Sequence, residues 1–178
     1  VMEKKRAIIL DTSAFLAGFD PFSINEKQYT VPLVTEELSK NSMSWIRFKA
    51  AVENGLLKVK KPEKIFEKKV IKTAEILGNS FFLSKADVQV LALALQLKTA
   101  GYETSIATDD YSIQNVANQL NVKFVSLATF GIRFRLKWMR YCPGCHRKYP
   151  ADYKSEKCKV CGTELKRKML RKTTLTEE

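Results

Sequence analysis

Residues 84–127, SKADVQVLALALQLKTAGYETSIATDDYSIQNVANQLNVKFVSL, decide the fold of this chain. Positions 84–101 are strongly apolar after Asp87 and reach a glycine at 101, the pattern of a buried helix with its stop. A short strand, TSIAT, follows, then the helical pattern YSIQNVANQLN and a last strand, VKFVSL. Strands alternating with helices at this spacing predict a parallel sheet covered on both faces, with right-handed crossovers.

The residues before this stretch extend the same pattern. RAIIL at 6–10 is an apolar strand run that ends in Asp11, and YTVP is a second short strand closed by Pro32. PLVTEELS and SWIRFKAAVENG read as a short and a longer helix, and LLKVKKP as a strand. PEKIFEKKVIKTAEILGN opens with Pro62 and stops at Gly78, the asymmetry helices prefer. The expectation is an α/β domain over residues 1–128, without internal repeats or low-complexity tracts.

At 178 residues and 45% hydrophobic, the chain can bury one full core and one small appendage. It contains no apolar run long enough to span a bilayer, and the opening VMEKKRAIIL is too short in apolar residues for a signal peptide. A soluble, cytoplasmic protein without a membrane partner is expected. In a reducing compartment, four cysteines in two close pairs read as thiolate ligands rather than disulfides.

Charge is unevenly placed. Residues 132–178 hold 14 Lys/Arg and 5 Asp/Glu, a net of +9, whereas the other 131 residues hold 17 and 14, a net of +3. The basic, polyanion-attracting surface is therefore expected to be mostly C-terminal. Within TFGIRFRLKWMRYC, residues Ile132, Phe134, Leu136 and Trp138 alternate with Arg133, Arg135 and Lys137. This period of two fits a basic ribbon laid on a nucleic-acid backbone and equally an edge strand docked by its apolar side. Residues 129–140 are expected to be a basic linker or edge strand between two domains.

Open α/β sheets bind ligands at the carboxyl ends of their strands, so acids there matter. Asp11 follows the first strand; Asp109 and Asp110 follow SIAT; Glu36 and Glu37 lie on the short helix after the second strand; Asp87 begins the apolar helix. Carboxylates gathered on one rim repel one another unless a cation lies between them, and an all-oxygen donor set suits Mg²⁺ or Mn²⁺. Each acid also has a plainer role. Asp87 stands three residues after Ser84, the capping-box spacing, and Asp109 and Asp110 suit helix capping or an Asx-turn. One of Glu36 and Glu37 is expected to be merely solvated. Asp11 is the costliest to explain otherwise, because a carboxylate closing a buried strand needs a partner, a helix to cap or a metal.

The blocks IILDTSAFL, VPLVTEEL, SKADVQVLALA and IATDDYSIQNVA resemble, in order, the acidic blocks of PIN-domain ribonucleases. The resemblance implies a three-layer α/β/α fold and a divalent-metal phosphodiesterase. By position it implies Asp11, Glu37, Asp87 and Asp110 as the catalytic, Mg²⁺- or Mn²⁺-binding acids. Asp109 is an extra neighbour, and Thr12, Ser13 and Thr108 match the small polar residues beside the first and last acids. The residues themselves exclude a Ser/His/Asp arrangement, since His146, the only histidine, lies within the cysteine module.

That module, C-x₂-C-x₁₂-C-x₂-C, consists of Cys142, Cys145, Cys158 and Cys161. Each pair can present two thiolates from one tight turn, and two such turns complete a closed tetrahedral zinc site. Zinc there is structural and supplies folding energy to a module too small for an apolar core. Its expected work is to hold Arg147, Lys148, Lys154, Lys157 and Lys159 in place for RNA phosphates, with Tyr149 and Tyr153 available to stack on bases. The zinc ribbon is assigned to 141–170 and a tail to 171–178.

A PIN-like domain, a basic segment and a Cys₄ ribbon in one chain resemble the Nin-one-binding endonucleases, in their compact archaeal form. The resemblance implies one metal-dependent cut in precursor rRNA at the 3′ end of the small-subunit RNA, on a pre-small ribosomal subunit. The zinc ribbon would bind rRNA, and a KH-domain assembly factor would be the protein partner. A toxin-type PIN ribonuclease would share the acids without needing the ribbon. A non-catalytic RNA-binding assembly adaptor would share the fold without needing the acids.

Overall fold

The computed structural model describes residues 4–80, 82–131 and 134–174, with side chains placed at 4–80, 82–131 and 138–168. The chain divides into two compact units, residues 1–132 and 133–178.

In the first unit five parallel strands form one sheet: β1 (Arg6–Leu10), β2 (Lys27–Thr30), β3 (Leu57–Val59), β4 (Glu103–Ala107) and β5 (Lys123–Val125), in the order β3-β2-β1-β4-β5. The strand order reverses between β1 and β4. That is the topological switch point at which parallel sheets form a ligand crevice. β1 is buried from Ala7 to Leu10 because both faces are covered, which is why it reads as a continuous apolar run.

Among the described residues six α-helices accompany the sheet: α1 (Thr12–Ala17), α2 (Pro32–Glu37), α3 (Met43–Glu53), α4 (Lys64–Ile76), α5 (Lys85–Thr99) and α6 (Tyr111–Gln119). α5 buries Val90, Leu91, Ala92, Leu93 and Ala94 in succession, so it is covered almost all round, packing on β1 and β4 and also on α4. Each such Leu contributes about 1.5–3 kcal/mol by leaving water. Phe15 meets Phe48 edge-on at 5.6 Å, and Phe19 meets Phe130 at 5.1 Å, locking α1 and the loop after it onto the core. Helix α1 is not expected from the sequence. Its six residues are too few to display a helical period, and it exists because Asp11 caps it and Phe15 is buried.

In the second unit β6 (Phe134–Tyr141) lies between β7 (Lys148–Pro150) and β8 (Lys166–Thr174), both antiparallel to it. The segment expected as a linker or edge strand at 129–140 is thus, from Phe134, a central strand. The expected tail is likewise β-structure as far as Thr174. Period-two alternation marks a strand without saying how many neighbours it has. Arg133 lies outside the described residues, as do the side chains of Arg135 and Lys137.

Candidate active site and zinc centre

Parallel pairing brings the ends of β1 and β4 level, with Leu10 opposite Ala107. Asp11 and Thr108 therefore leave neighbouring strands at the same height. Asp11 is 2% exposed. Its Oδ1 accepts from Ser13 Oγ at 2.6 Å and from the Ala14 amide at 2.8 Å, so it caps α1. Burial pushes its carboxyl up to about 6; the hydroxyls of Ser13 and Thr108 and the Ala14 amide oppose that shift, and the charge of Asp110 adds to it. A buried acid raised by desolvation beside a second acid is the situation a cation relieves.

Asp110 caps α6 by accepting from the Ser112 amide at 2.9 Å, and its own amide donates to Thr108 Oγ1 at 3.1 Å. Thr108 is completely buried, and it joins the two acids across the switch point. Asp109 faces elsewhere: its Oδ1 accepts from Ser126 Oγ at 2.9 Å and from the Leu127 amide at 3.0 Å, which ties β4 to the turn after β5.

Glu37, exposed at the end of α2, accepts a hydrogen bond from the hydroxyl of Thr12, the residue after Asp11. Glu36 is exposed as well. Asp87 is 7% exposed and completes a capping box, accepting from the Ser84 amide at 2.8 Å while the Asp87 amide donates to Ser84 Oγ. Its helix starts on the same rim, because Gln89 Oε1 accepts from the Leu33 amide at the first turn of α2, which follows β2. Four chain segments thus carry Asp11, Glu37, Asp87 and Asp110 to the carboxyl rim of one sheet. Among the described residues, no three of these acids draw their oxygens together as the four cysteines draw their sulfurs. The rim offers oxygen donors only, with Asp11 and Asp110 as its electrostatically coupled pair. That donor set fits Mg²⁺ or Mn²⁺.

The ligand atoms of Cys142, Cys145, Cys158 and Cys161 all lie within 4.8 Å of one another. Two sulfur pairs, Cys142 with Cys161 and Cys145 with Cys158, are 3.3 and 3.5 Å apart. Tetrahedral zinc with bonds near 2.3 Å needs sulfurs about 3.8 Å apart, so the cluster fits the ion with small adjustments. The two turns are built alike. His146 N donates to Cys142 O and Gly162 N to Cys158 O, each at 2.9 Å, while Cys142 N and Cys158 N donate to Arg147 O and Thr163 O. The residue after each pair is left-handed, His146 at φ 58° and Gly162 at φ 73°. Gly144 has a separate reason: a Cβ there would lie 2.9 Å from Thr163 Oγ1 and 3.5 Å from Cys161 Sγ, so the two turns close only without it.

Tyr149 departs from its expected role as a base-stacking side chain. It is 5% exposed, stacks at a tilt on Tyr153 with centroids 4.5 Å apart, and holds its hydroxyl 3.0 Å from Cys158 Sγ. It belongs to the interior of the ribbon and is not available to stack on RNA. That hydroxyl draws the Cys158 thiol down to about 5, while its own proton is held more tightly, to about 12. Its alternation with Lys148 and Pro150 on β7 was the available signal. Arg147, Lys148, Lys154, Lys157 and Lys159 are all exposed around the centre.

A family model described as the PIN domain of ribonuclease matches residues 8–97. Endoribonuclease Nob1 of Methanocaldococcus jannaschii is 37% identical over 163 residues, 92% of this chain and 78% of that protein. Endoribonuclease Nob1 of Methanothermobacter thermautotrophicus is 38% identical over 160 residues, 90% of this chain and 91% of its own length. Ribonuclease VapC1 of Thermoplasma acidophilum is 33% identical over 159 residues, 89% and 76% of the two chains. These alignments cover 159 residues or more, well beyond the length of the PIN match.

Proposed function

The chain belongs to the Nob1 endoribonuclease family, and on that premise we propose that it cuts precursor rRNA at the 3′ end of the small-subunit RNA, on a pre-small ribosomal subunit in the cytoplasm. The observation that carries this reading is the pairing, in one chain, of a rim of four acids with a Cys₄ centre surrounded by exposed lysines and arginines. A KH-domain assembly factor is the protein partner that goes with it. Among the described residues no helix is long and apolar enough to cross a membrane.

Asp11, Glu37, Asp87 and Asp110 would hold the catalytic Mg²⁺ or Mn²⁺, and the four cysteines one structural Zn²⁺. A divalent ion held there would supply Lewis-acid activation of water and neutralise phosphate charge. The chain does the positioning. Asp11 is fixed by Ser13 and Ala14, Asp110 by Thr108 and Ser112, and Asp87 by Ser84. Helices α5 and α6 begin at this rim, and their amide dipoles favour an anionic phosphate there. The four thiolates leave zinc no open position, so the ribbon contributes binding rather than chemistry.

A relative named VapC1 aligns across most of the chain, so possession of the C-terminal part does not by itself separate the rRNA reading from a toxin-type ribonuclease. The discriminating experiment uses the full-length, zinc-loaded protein with Mn²⁺ and two RNAs, one spanning the small-subunit 3′ processing site and one unrelated. Cleavage at a single position in the first, lost by on the order of a hundred-fold or more in Asp11→Asn, is expected. Equal cutting of both RNAs favours the toxin-type reading, and a wild type no better than Asp11→Asn removes the nuclease.

A further inference from the structure

The N-terminal unit carries a second basic surface that the overall charge count conceals. Residues 58–72, LKVKKPEKIFEKKVIK without its first leucine, contain seven lysines and two acids. Both acids are hydrogen-bonded to α5, Glu63 while still exposed and Glu67 half-buried: Glu63 Oε1 accepts from Gln96 Nε2 at 3.0 Å, and Glu67 Oε1 accepts from Gln89 Nε2 at 3.3 Å. The Glu63 amide donates to Gln96 Oε1 at 2.9 Å as well. Neutral glutamines thus hold the carboxylates against the neighbouring helix, and the lysines are left outside. All seven are exposed, and among the described residues none makes an ion pair.

Lys64, Lys68 and Lys72 recur every four residues, so they form a row on α4 opposite the buried Val70 and Ala74, with a rise of about 6 Å between neighbours. Like charges at this spacing repel one another and destabilise the helix. The first acid on the same face as this row, Glu75, comes only beyond Lys72, and it too makes no ion pair among the described residues.

The direction of the row follows from the same hydrogen bonds. Glu63 lies against Gln96 and Glu67 against Gln89, so α4 runs antiparallel to α5. Lys68 and Lys72 therefore continue toward the end of α5 that carries Asp87. Lys60 and Lys61 reach the same rim by another route, directly after β3, where the Lys60 amide donates to Thr30 O at the end of β2. β3 lies two strands from β1, about 10 Å at ordinary strand spacing.

We propose that Lys64, Lys68 and Lys72, with Lys60 and Lys61, form a phosphate-binding track for single-stranded RNA that leads along α4 to the acidic rim. The proposal deepens the nuclease reading by naming where the substrate strand lies outside the ribbon. A regular, unpaired row of cations suits the backbone of a flexible polyanion and carries no base specificity.

The test measures equilibrium binding of full-length, zinc-loaded protein to poly(U) at several salt concentrations, in an Asp11→Asn background so that no strand is cut. The variant Lys64→Gln/Lys68→Gln/Lys72→Gln should reduce the slope of log K against log[salt] by about 2, and weaken binding several tens-fold near 0.15 M salt. A control, Lys27→Gln/Lys40→Gln/Lys49→Gln, removes the same net charge elsewhere and should change the slope by less than half as much. Circular dichroism of both variants checks that the fold is kept. The proposal is overturned if the row variant keeps the wild-type slope or matches the control. It is overturned too if the row variant loses binding to phosphatidylserine vesicles while its poly(U) slope is unchanged. Binding is read without cleavage, so a wild type that binds poly(U) through this row but never cuts would remove the nuclease reading and leave the track standing.

Discussion

The hydroxyl of Tyr149 lies 3.0 Å from the sulfur of Cys158, inside the C-terminal unit. An O–H donor at this distance stabilises the thiolate, which is the form that binds metal, and it explains why an aromatic residue on a basic strand is turned inward. Partners of metal ligands commonly account for 10–100-fold in affinity.

Tyr149→Phe keeps the ring packed on Tyr153 and deletes only that donor. Zinc should still bind, with about ten-fold or greater loss of affinity in competition against a chromogenic chelator. Unchanged zinc affinity would reduce Tyr149 to a packing residue.

Asp11 gives a prediction for the protein free of Mg²⁺ and Mn²⁺. Its carboxyl is raised to about 6 from an ordinary 3.8, so the folded state binds its proton more tightly than the unfolded state does. Stability contributed by the protonated acid is present below about pH 4 and is lost as pH rises through 6. By neutral pH the loss amounts to about 3 kcal/mol. Asn caps a helix as well as Asp does, so Asp11→Asn should melt several degrees higher than wild type at pH 7.5 and show little advantage at pH 4. A variant that melts at or below wild type at pH 7.5 would contradict the buried-charge account.

Thr108→Val removes the hydroxyl that accepts from the Asp110 amide and opposes the upward shift of Asp11. Its shape is nearly kept, so the fold should survive. Mn²⁺ should then be needed at roughly 10–100-fold higher concentration for half-maximal cleavage. A normal Mn²⁺ requirement, with cleavage merely slower at every concentration, would show that Thr108 does not position the acids.

Much of the site was legible in the sequence because its signals are local. A strand run ending in an acid, an S-x-x-D before an apolar helix and two C-x₂-C pairs each involve a few neighbouring residues. Backbone geometry limits each spacing to a few meanings, so Asp11, Asp87, the Asp109–Asp110 pair and the four cysteines stand out as candidates in the sequence, and the choice among the acids came from the family resemblance. The α/β alternation belongs to the same class, since burial on both faces writes itself into a strand as an unbroken apolar run.

Tertiary structure decided what depends on partners distant in the chain. Asp109 and Asp110 are adjacent and chemically identical, yet Ser126 and Leu127 take one while Thr108 and α6 hold the other. β6 became a central strand because β8 returns to it, and Tyr149 became an inner donor because Cys158 arrives beside it. Glu63 and Glu67 left the lysines of α4 uncompensated because Gln96 and Gln89 face them from another helix. A single sequence records which side chains exist and how they are spaced. Which donor reaches which acceptor is set by packing, where one hydrogen bond between segments redirects a charge that no local pattern distinguishes.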